Sequence, residues 1–262
     1  MIPRRYILEW RQFAPWPEDA QIEQDLIIEK ALVELFSNPY LKERLAFRGG
    51  TALHKLFLKP QVRYSEDIDL VQIKSEPIKN TLNAIRSSLA FLGEARVRQK
   101  ANNNTLIFQF VSESAPYINM RLKIEINCRE HFSVLGYKKM EHSIQNSWLS
   151  GSFHLLSYEA EEILGTKLRA LYQRKKGRDL FDIYYALTKL NLDTDKLLYC
   201  YKKYMQFSVN KGPSRKQFLK NMSEKLDDLD FEGDIFGLLR PGVNYKQEEA
   251  YQLVRSTLLE KI

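Results

Sequence analysis

Residues 67–73 read DIDLVQI, alternating polar and apolar, and the same two-residue period returns over 105–111 and 121–127. Successive side chains of a strand point to opposite faces, so three half-buried strands are predicted, with 96–100 running into the second of them through a turn at Asn102-Asn103-Asn104. Elsewhere the apolar positions recur at three and four. Ile22, Leu26, Leu32 and Leu35 give an amphipathic helix over 18–36 that closes before Pro39, and a further helix is predicted over 77–92. Arg48-Gly49-Gly50-Thr51 reads as a tight turn feeding a short helix over 52–58, which Pro60 stops.

After Ser157 the pattern becomes helical throughout. Ser157 is the expected N-cap of a helix over 158–173, with Glu159, Glu161 and Glu162 in a first turn where the helix dipole favours anions. Further helices are predicted over 178–190, 194–207, 214–229 and 246–260. The change of period places a boundary near 145–157, dividing the chain into an α/β domain over 1–150, with its N-terminal helix, and a helical domain over 151–262.

The chain of 262 residues is long enough to bury a core without staples. Forty Lys and Arg against 33 Asp and Glu leave a formal charge of +7, which suits a polyanionic partner and equally suits a soluble basic surface. Cys128 and Cys200 are far apart with no CxxC spacing, so neither a disulfide framework nor a zinc site is expected and a reducing cytoplasm is. The first residues lack a signal-peptide pattern, and no apolar run is long enough to cross a membrane.

Chemistry concentrates around Ser65-Glu66-Asp67-Ile68-Asp69. On a strand, Asp67 and Asp69 share one face, and two carboxylates held this close call for a cation, with Mg²⁺ or Mn²⁺ as the expected partner. A solvated strand edge would show the same spacing. The amides of Gly49, Gly50 and Thr51, at the start of a helix, form a possible anion site. Glu125 shares its strand face with Lys123 and Asn127, and on a neighbouring strand it would complete a three-carboxylate cluster. Lys167, Arg169 and the run Arg174-Lys175-Lys176-Gly177-Arg178-Asp179, followed by Asp182, read as two helices joined by a basic turn that could bring Lys167 to Asp182; a solvated loop with Asp179 starting the second helix is the plainer alternative. The acidic run from Asp227 to Asp234 reads as a solvated loop with some capacity to meet a basic partner.

Taken in order, RGGTAL at 48–53, RYSEDIDL at 63–70, KLRALYQR at 167–174 and RDLFD at 178–182 resemble the AbiEii/AbiGii toxin family, a branch of the nucleotidyltransferase-fold superfamily related to MenT-type toxins. The resemblance covers about residues 46–190. It implies an α+β fold, with a mixed nucleotidyltransferase-like sheet, flanking helices and a C-terminal helical bundle completing the active-site cleft. It also implies metal ligation by Asp67 and Asp69 and nucleotide binding by Gly49, Gly50, Thr51, Ser65 and Lys167, while Glu125 is placed as third carboxylate and metal ligand by its strand position. Asp182 is implied as the residue that orients Lys167. The turn carries Gly50-Thr51 where Gly-Ser is common in the superfamily, and the hydroxyl is retained.

The activity so implied is transfer of a nucleoside monophosphate from a nucleoside triphosphate to an RNA, the 3′ end of tRNA being expected. A cognate antitoxin is the implied protein partner. A small-molecule or protein acceptor would use the same metal site, and a non-catalytic nucleotide binder would share the phosphate contacts.

Overall fold

The computed structural model describes residues 2–100, 102–210 and 212–262. By its internal contacts the chain divides into two compact units, Met1–Ser133 with Tyr137–Tyr158, and Val134–Gly136 with Glu159–Ile262.

The first unit is built on a five-stranded sheet of order β1-β2-β5-β4-β3. Its strands are β1 (Leu45–Arg48), β2 (Asp67–Gln72), β3 (Ala95–Lys100), β4 (Asn103–Val111) and β5 (Asn119–Asn127). Only β2 and β5 run parallel, so the sheet is mixed. Alternation decides which face is covered: Ile68, Leu70, Leu106, Phe108, Leu122, Ile124 and Ile126 are buried, while the intervening residues carry the polar groups. Helices α1 (Arg4–Trp10), α2 (Asp19–Ser37), α3 (Gly49–Ala52) and α4 (Lys79–Ser88) complete the unit, together with a separate antiparallel hairpin of β6 (Lys138–Gln145) and β7 (Ser150–Ser157).

The strands predicted at 67–73, 105–111 and 121–127 are thus joined by β1, β6 and β7, which the period-two reading does not find. Ser157 is not the N-cap of the next helix. It ends β7 and donates its hydroxyl to Phe47 O at 2.8 Å, and the helix begins two residues later with Glu159 as N-cap.

A buried polar knot pins α2 within this unit. Lys55 Nζ donates to Glu29 at 2.8 Å and to Asp25 at 3.1 Å, Trp10 and Gln61 donate to Asp25, and His142 Nε2 lies 2.7 Å from Glu29. Burial resists ionisation of Glu29, yet Lys55 and His142 outweigh it and hold the carboxyl down at about 2.

The second unit is helical: α5 (Ala160–Gln173), α6 (Gly177–Lys189), α7 (Thr194–Val209), α8 (Arg215–Leu226), α9 (Leu229–Phe236) and α10 (Gln247–Thr257). Helix α9 corrects the loop expected in the acidic run. Asp228 caps it by accepting from Phe231 N at 3.0 Å, and Phe231 and Ile235, four residues apart, are buried. Its carboxylates meet the basic turn between α5 and α6: Lys176 Nζ lies 3.0 Å from Asp234, Lys175 pairs with Asp228, and Arg178 N donates to Asp234 at 3.2 Å. Two segments that read separately as solvated loops are therefore each other's partners.

Candidate active site

Arg48, the last residue of β1, is the antiparallel register partner of Asp69 on β2. The chain must then turn at once into α3, and it does so at Gly49 with φ of +84°, a left-handed conformation that favours glycine. A Cβ here would lie 2.0 Å from Asp69 Oδ2 and 2.7 Å from its Cβ, so the turn folds directly over the Asp69 carboxylate. Past Ala52 the helix continues as a π-helical turn, Leu53–Phe57, a form enriched at functional sites.

A second tie fastens the turn to the head of β2. Thr51 is 1 % exposed, donates its hydroxyl to Asp67 O at 2.6 Å, and lies 2.6 Å from Ser65 Oγ. With its one proton committed to the carbonyl, Thr51 can only accept from Ser65. The Thr51 hydroxyl expected at a phosphate is thus used inside the protein, where it holds Ser65, Asp67 and the turn together.

The parallel register of β2 and β5 puts Asp67 opposite Lys123 and Asp69 opposite Glu125, all four on the polar face. Lys123 is the residue that sequence reading passed over. Its Nζ donates to Asp67 Oδ2 at 2.9 Å and lies 3.7 Å from Glu125 Oε1. Burial opposes its charge, but the Asp67 hydrogen bond and charge, with Glu125 behind them, raise the ammonium above its usual range. The expected three-carboxylate cluster is not gathered: among the described residues, no group of three or more His, Cys, Asp or Glu could hold a metal ion. A lysine bridges Asp67 and Glu125 instead.

In the helical unit, Lys167 on α5 meets Asp182 on α6 as expected, at 2.6 Å, and also Asp179 at 3.1 Å. Both aspartates are fully buried. Asp179, which had the look of a helix-start residue, also receives Arg174 Nε at 2.7 Å and Nη2 at 2.9 Å, a bidentate pair. Burial pushes its carboxyl up, and Lys167 and Arg174 more than reverse that, leaving it below the usual range. Lys225 caps the end of α5, donating to Leu171 O and, at 2.9 Å, to Tyr172 O; burial pushes it down to about 8.

The family described as "Nucleotidyl transferase AbiEii toxin, Type IV TA system" matches residues 30–252, most of the chain. The chain belongs to the AbiEii nucleotidyltransferase toxin family. Its fold is similar to that of MenT4, a nucleotidyltransferase toxin from Mycobacterium tuberculosis H37Rv, with a TM-score of 0.71 and 17% identity over 100% of this chain and 91% of that one. A nucleotidyltransferase-type structure from H. pylori matches with a TM-score of 0.54 and 18% identity over 93% of this chain and 98% of its own. No curated protein matches. Family and fold agree on a nucleotidyltransferase, with the mixed sheet and flanking helices that the resemblance implied.

Within the first unit, register and turn geometry bring Gly49, Thr51, Ser65, Asp67 and Asp69 together, with Glu125 in register beside Asp69; in the second, Lys167 pairs with Asp182. Lys123 shares a strand face with Glu125, which is legible in the sequence, but its partner is fixed only by the register against β2.

Proposed function

We propose that this family member transfers a nucleoside monophosphate from a nucleoside triphosphate to the 3′ end of an RNA, tRNA being the expected acceptor, and acts as the toxin of a pair whose antitoxin neutralises it. The observation that carries the reading is the seating of the Asp69 carboxylate against the Gly49 turn, which sets an acidic face directly beside the first amides of a helix. Such amides bind phosphate, and the carboxylates beside them suit a hard divalent cation.

Mg²⁺ keeps several waters and uses one or two carboxylates along with substrate phosphates, so Asp67 and Asp69 suffice as protein ligands and Glu125 stands by in register. When bound, Mg²⁺ or Mn²⁺ at Asp67 and Asp69 would neutralise phosphate charge and acidify the attacking hydroxyl. In the reaction an acceptor oxygen forms a bond to the α-phosphorus while the bond to the β-phosphate oxygen breaks, releasing pyrophosphate and a proton. The amides of Gly50 and Thr51 donate to the phosphates, and the Ser65 hydroxyl, bonded to Thr51 Oγ1, helps to hold the turn that presents them. Lys123 donates to the Asp67 carboxylate and holds it in place. The resemblance assigns Lys167 to the nucleotide, and within the second unit Asp179 and Asp182 fix its ammonium.

Incubating the protein and Mg²⁺ with each α-labelled triphosphate, and with total RNA, total protein or small molecules, tests the reading directly. Label is expected in RNA, and Asp69→Ala should abolish both labelling and growth inhibition. Label confined to protein or small molecules would overturn the RNA acceptor; full toxicity of Asp69→Ala would overturn the site.

A further inference from the structure

The basic turn at 174–178 has its charges occupied within the chain by Asp179, Asp228 and Asp234. Cations without such partners among the described residues lie elsewhere, and one set forms a stripe. Arg96, Arg98 and Lys100 alternate along β3, are all exposed, and make no ion pair or side-chain hydrogen bond among the described residues; the same is true of the Arg121 side chain on β5.

Register shows which way they face. Arg98 pairs with Thr105, Thr105 with Glu125, and Glu125 with Asp69, a single row across four strands. The next row runs Arg96, Ile107, Lys123, Asp67, and the one beyond it places Gln109 beside Arg121. Pairs in register share a face, so the β3 cations stand on the same face as the acidic residues, three strand spacings or about 14 Å from Asp69. Between them β4 presents Thr105, Ile107 and Gln109 and no charge. The face thus grades from a basic edge, over a neutral strand, to the carboxylates.

Resting on the nucleotidyltransferase reading above, we propose that this face is the acceptor track: the phosphodiester backbone of a single-stranded RNA 3′ end crosses β3 and β4, anchored by Arg96, Arg98, Lys100 and Arg121, and delivers its terminal hydroxyl to the carboxylates on β2. Exposed, unpaired cations serve this purpose because backbone binding is driven by release of counterions from phosphates and needs no base recognition. Charged residues on a sheet edge also discourage edge-to-edge pairing, but that role is indifferent to which face they occupy and would not place them in the rows of Asp67 and Asp69.

The test is the triple variant Arg96→Gln, Arg98→Gln, Lys100→Gln in the full-length protein, which keeps the edge polar. Its binding to a single-stranded RNA oligonucleotide with a free 3′ hydroxyl is titrated against salt, and its KM values for RNA and for the triphosphate are measured separately. The RNA KM should rise about tenfold or more, and the salt slope of binding should fall by about 2, or about 0.7 for each phosphate no longer neutralised. The triphosphate KM should stay unchanged. Unchanged RNA affinity and slope would overturn the track while leaving the transfer reaction intact, as they would if the stripe meets an acidic protein. RNA binding that depends on the stripe, in a wild-type protein that transfers no nucleotide, would uphold the track and sink the enzymatic reading.

Discussion

The Asp69 carboxylate lies where a side chain on Gly49 would begin, 2.0 Å from the Cβ position of a residue held at φ +84°. Two independent demands therefore fall on one glycine. The left-handed backbone costs a non-glycine residue about 1–2 kcal/mol, and the close approach leaves no room even for a methyl. Gly49→Ala should force the turn or the carboxylate to move by a large fraction of an ångström, a displacement that can cost about 10²-fold in rate. Gly93, at φ +83° with open space where its Cβ would be, is the control. Gly93→Ala should lose stability and keep its activity per folded molecule. Equal specific activity in the two variants would show that Gly49 matters only as a turn.

Lys123 and Mg²⁺ make opposing claims on Asp67. The ammonium sits 2.9 Å from a carboxylate oxygen, part-exposed, where an ion pair is worth about 0–1 kcal/mol. Lys123→Met removes that competition, so the Mg²⁺ concentration giving half-maximal transfer should fall several-fold, while Lys123→Arg should leave it near the wild-type value. EDTA should silence all three proteins. A requirement for more Mg²⁺ in Lys123→Met would mean that the lysine helps to build the metal site instead of competing for it.

Much of this architecture is legible in the sequence, and the gaps have physical causes. Strands β2, β4 and β5 show themselves because one face is buried and the other polar. Strand β1 has four residues, three of them buried, and so shows no alternation. The hairpin β6–β7 is dominated by exposed Lys, Glu, Ser and His, and its few buried positions, Ile144 and Leu155 among them, are too sparse to set a period. Helix α9 hides in an acidic run because its partners are the lysines and arginine 50 to 60 positions earlier, a long-range pairing that local pattern cannot report. The site divides the same way. Asp67 and Asp69 are found from spacing alone, whereas the roles of Lys123 and Asp179 depend on register and on the approach of two helices.

Asp182 and Asp179 both hold Lys167, and Asp179 also holds Arg174. Asp179→Asn should therefore be the more damaging to folding, since it weakens two cations around a fully buried position; about 3–5 kcal/mol is typical when a buried pair loses one partner. Asp182→Asn leaves Lys167 its second carboxylate, so its kcat should drop further than its thermal stability does. Thermal melts alongside kcat for the two variants decide the matter. A stable Asp182→Asn enzyme with wild-type kcat would reduce the Lys167–Asp182 pair to packing.

The Lys55 knot predicts a pH-dependent cost. Lys55→Met leaves Asp25 and Glu29 buried without their shared cation, and at pH 7 should destabilise by about 3–5 kcal/mol. Glu29 has a folded pKa of about 2 against 4.5 ordinarily, so in the wild type its contribution is present above pH 4.5 and is lost as pH falls toward 2. In the variant there is little of that contribution to lose. The stability gap between the two proteins should accordingly narrow on acidification below pH 4.5, as followed by denaturant unfolding; a gap constant from pH 7 to pH 3 would show that Lys55 matters for its aliphatic chain and not for its charge.

Glu23 gives the reverse dependence. Both of its carboxylate oxygens accept from Glu113 N, at 3.0 and 3.2 Å, yet burial pushes its pKa up to about 7. A carboxyl whose folded pKa is raised binds its proton more tightly in the native state, so its effect on stability is neutral below pH 4.5 and grows unfavourable as pH climbs from 4.5 to 7, levelling off above that. Glu23→Gln retains a carbonyl oxygen for the Glu113 N–H and removes the charge. It should match the wild type near pH 4.5 and exceed it at pH 8 by about 1 kcal/mol or more. Denaturant midpoints at the two pH values measure this, and a variant less stable than the wild type at pH 8 would show that the ionised carboxylate is worth more to the Glu113 amide than its burial costs.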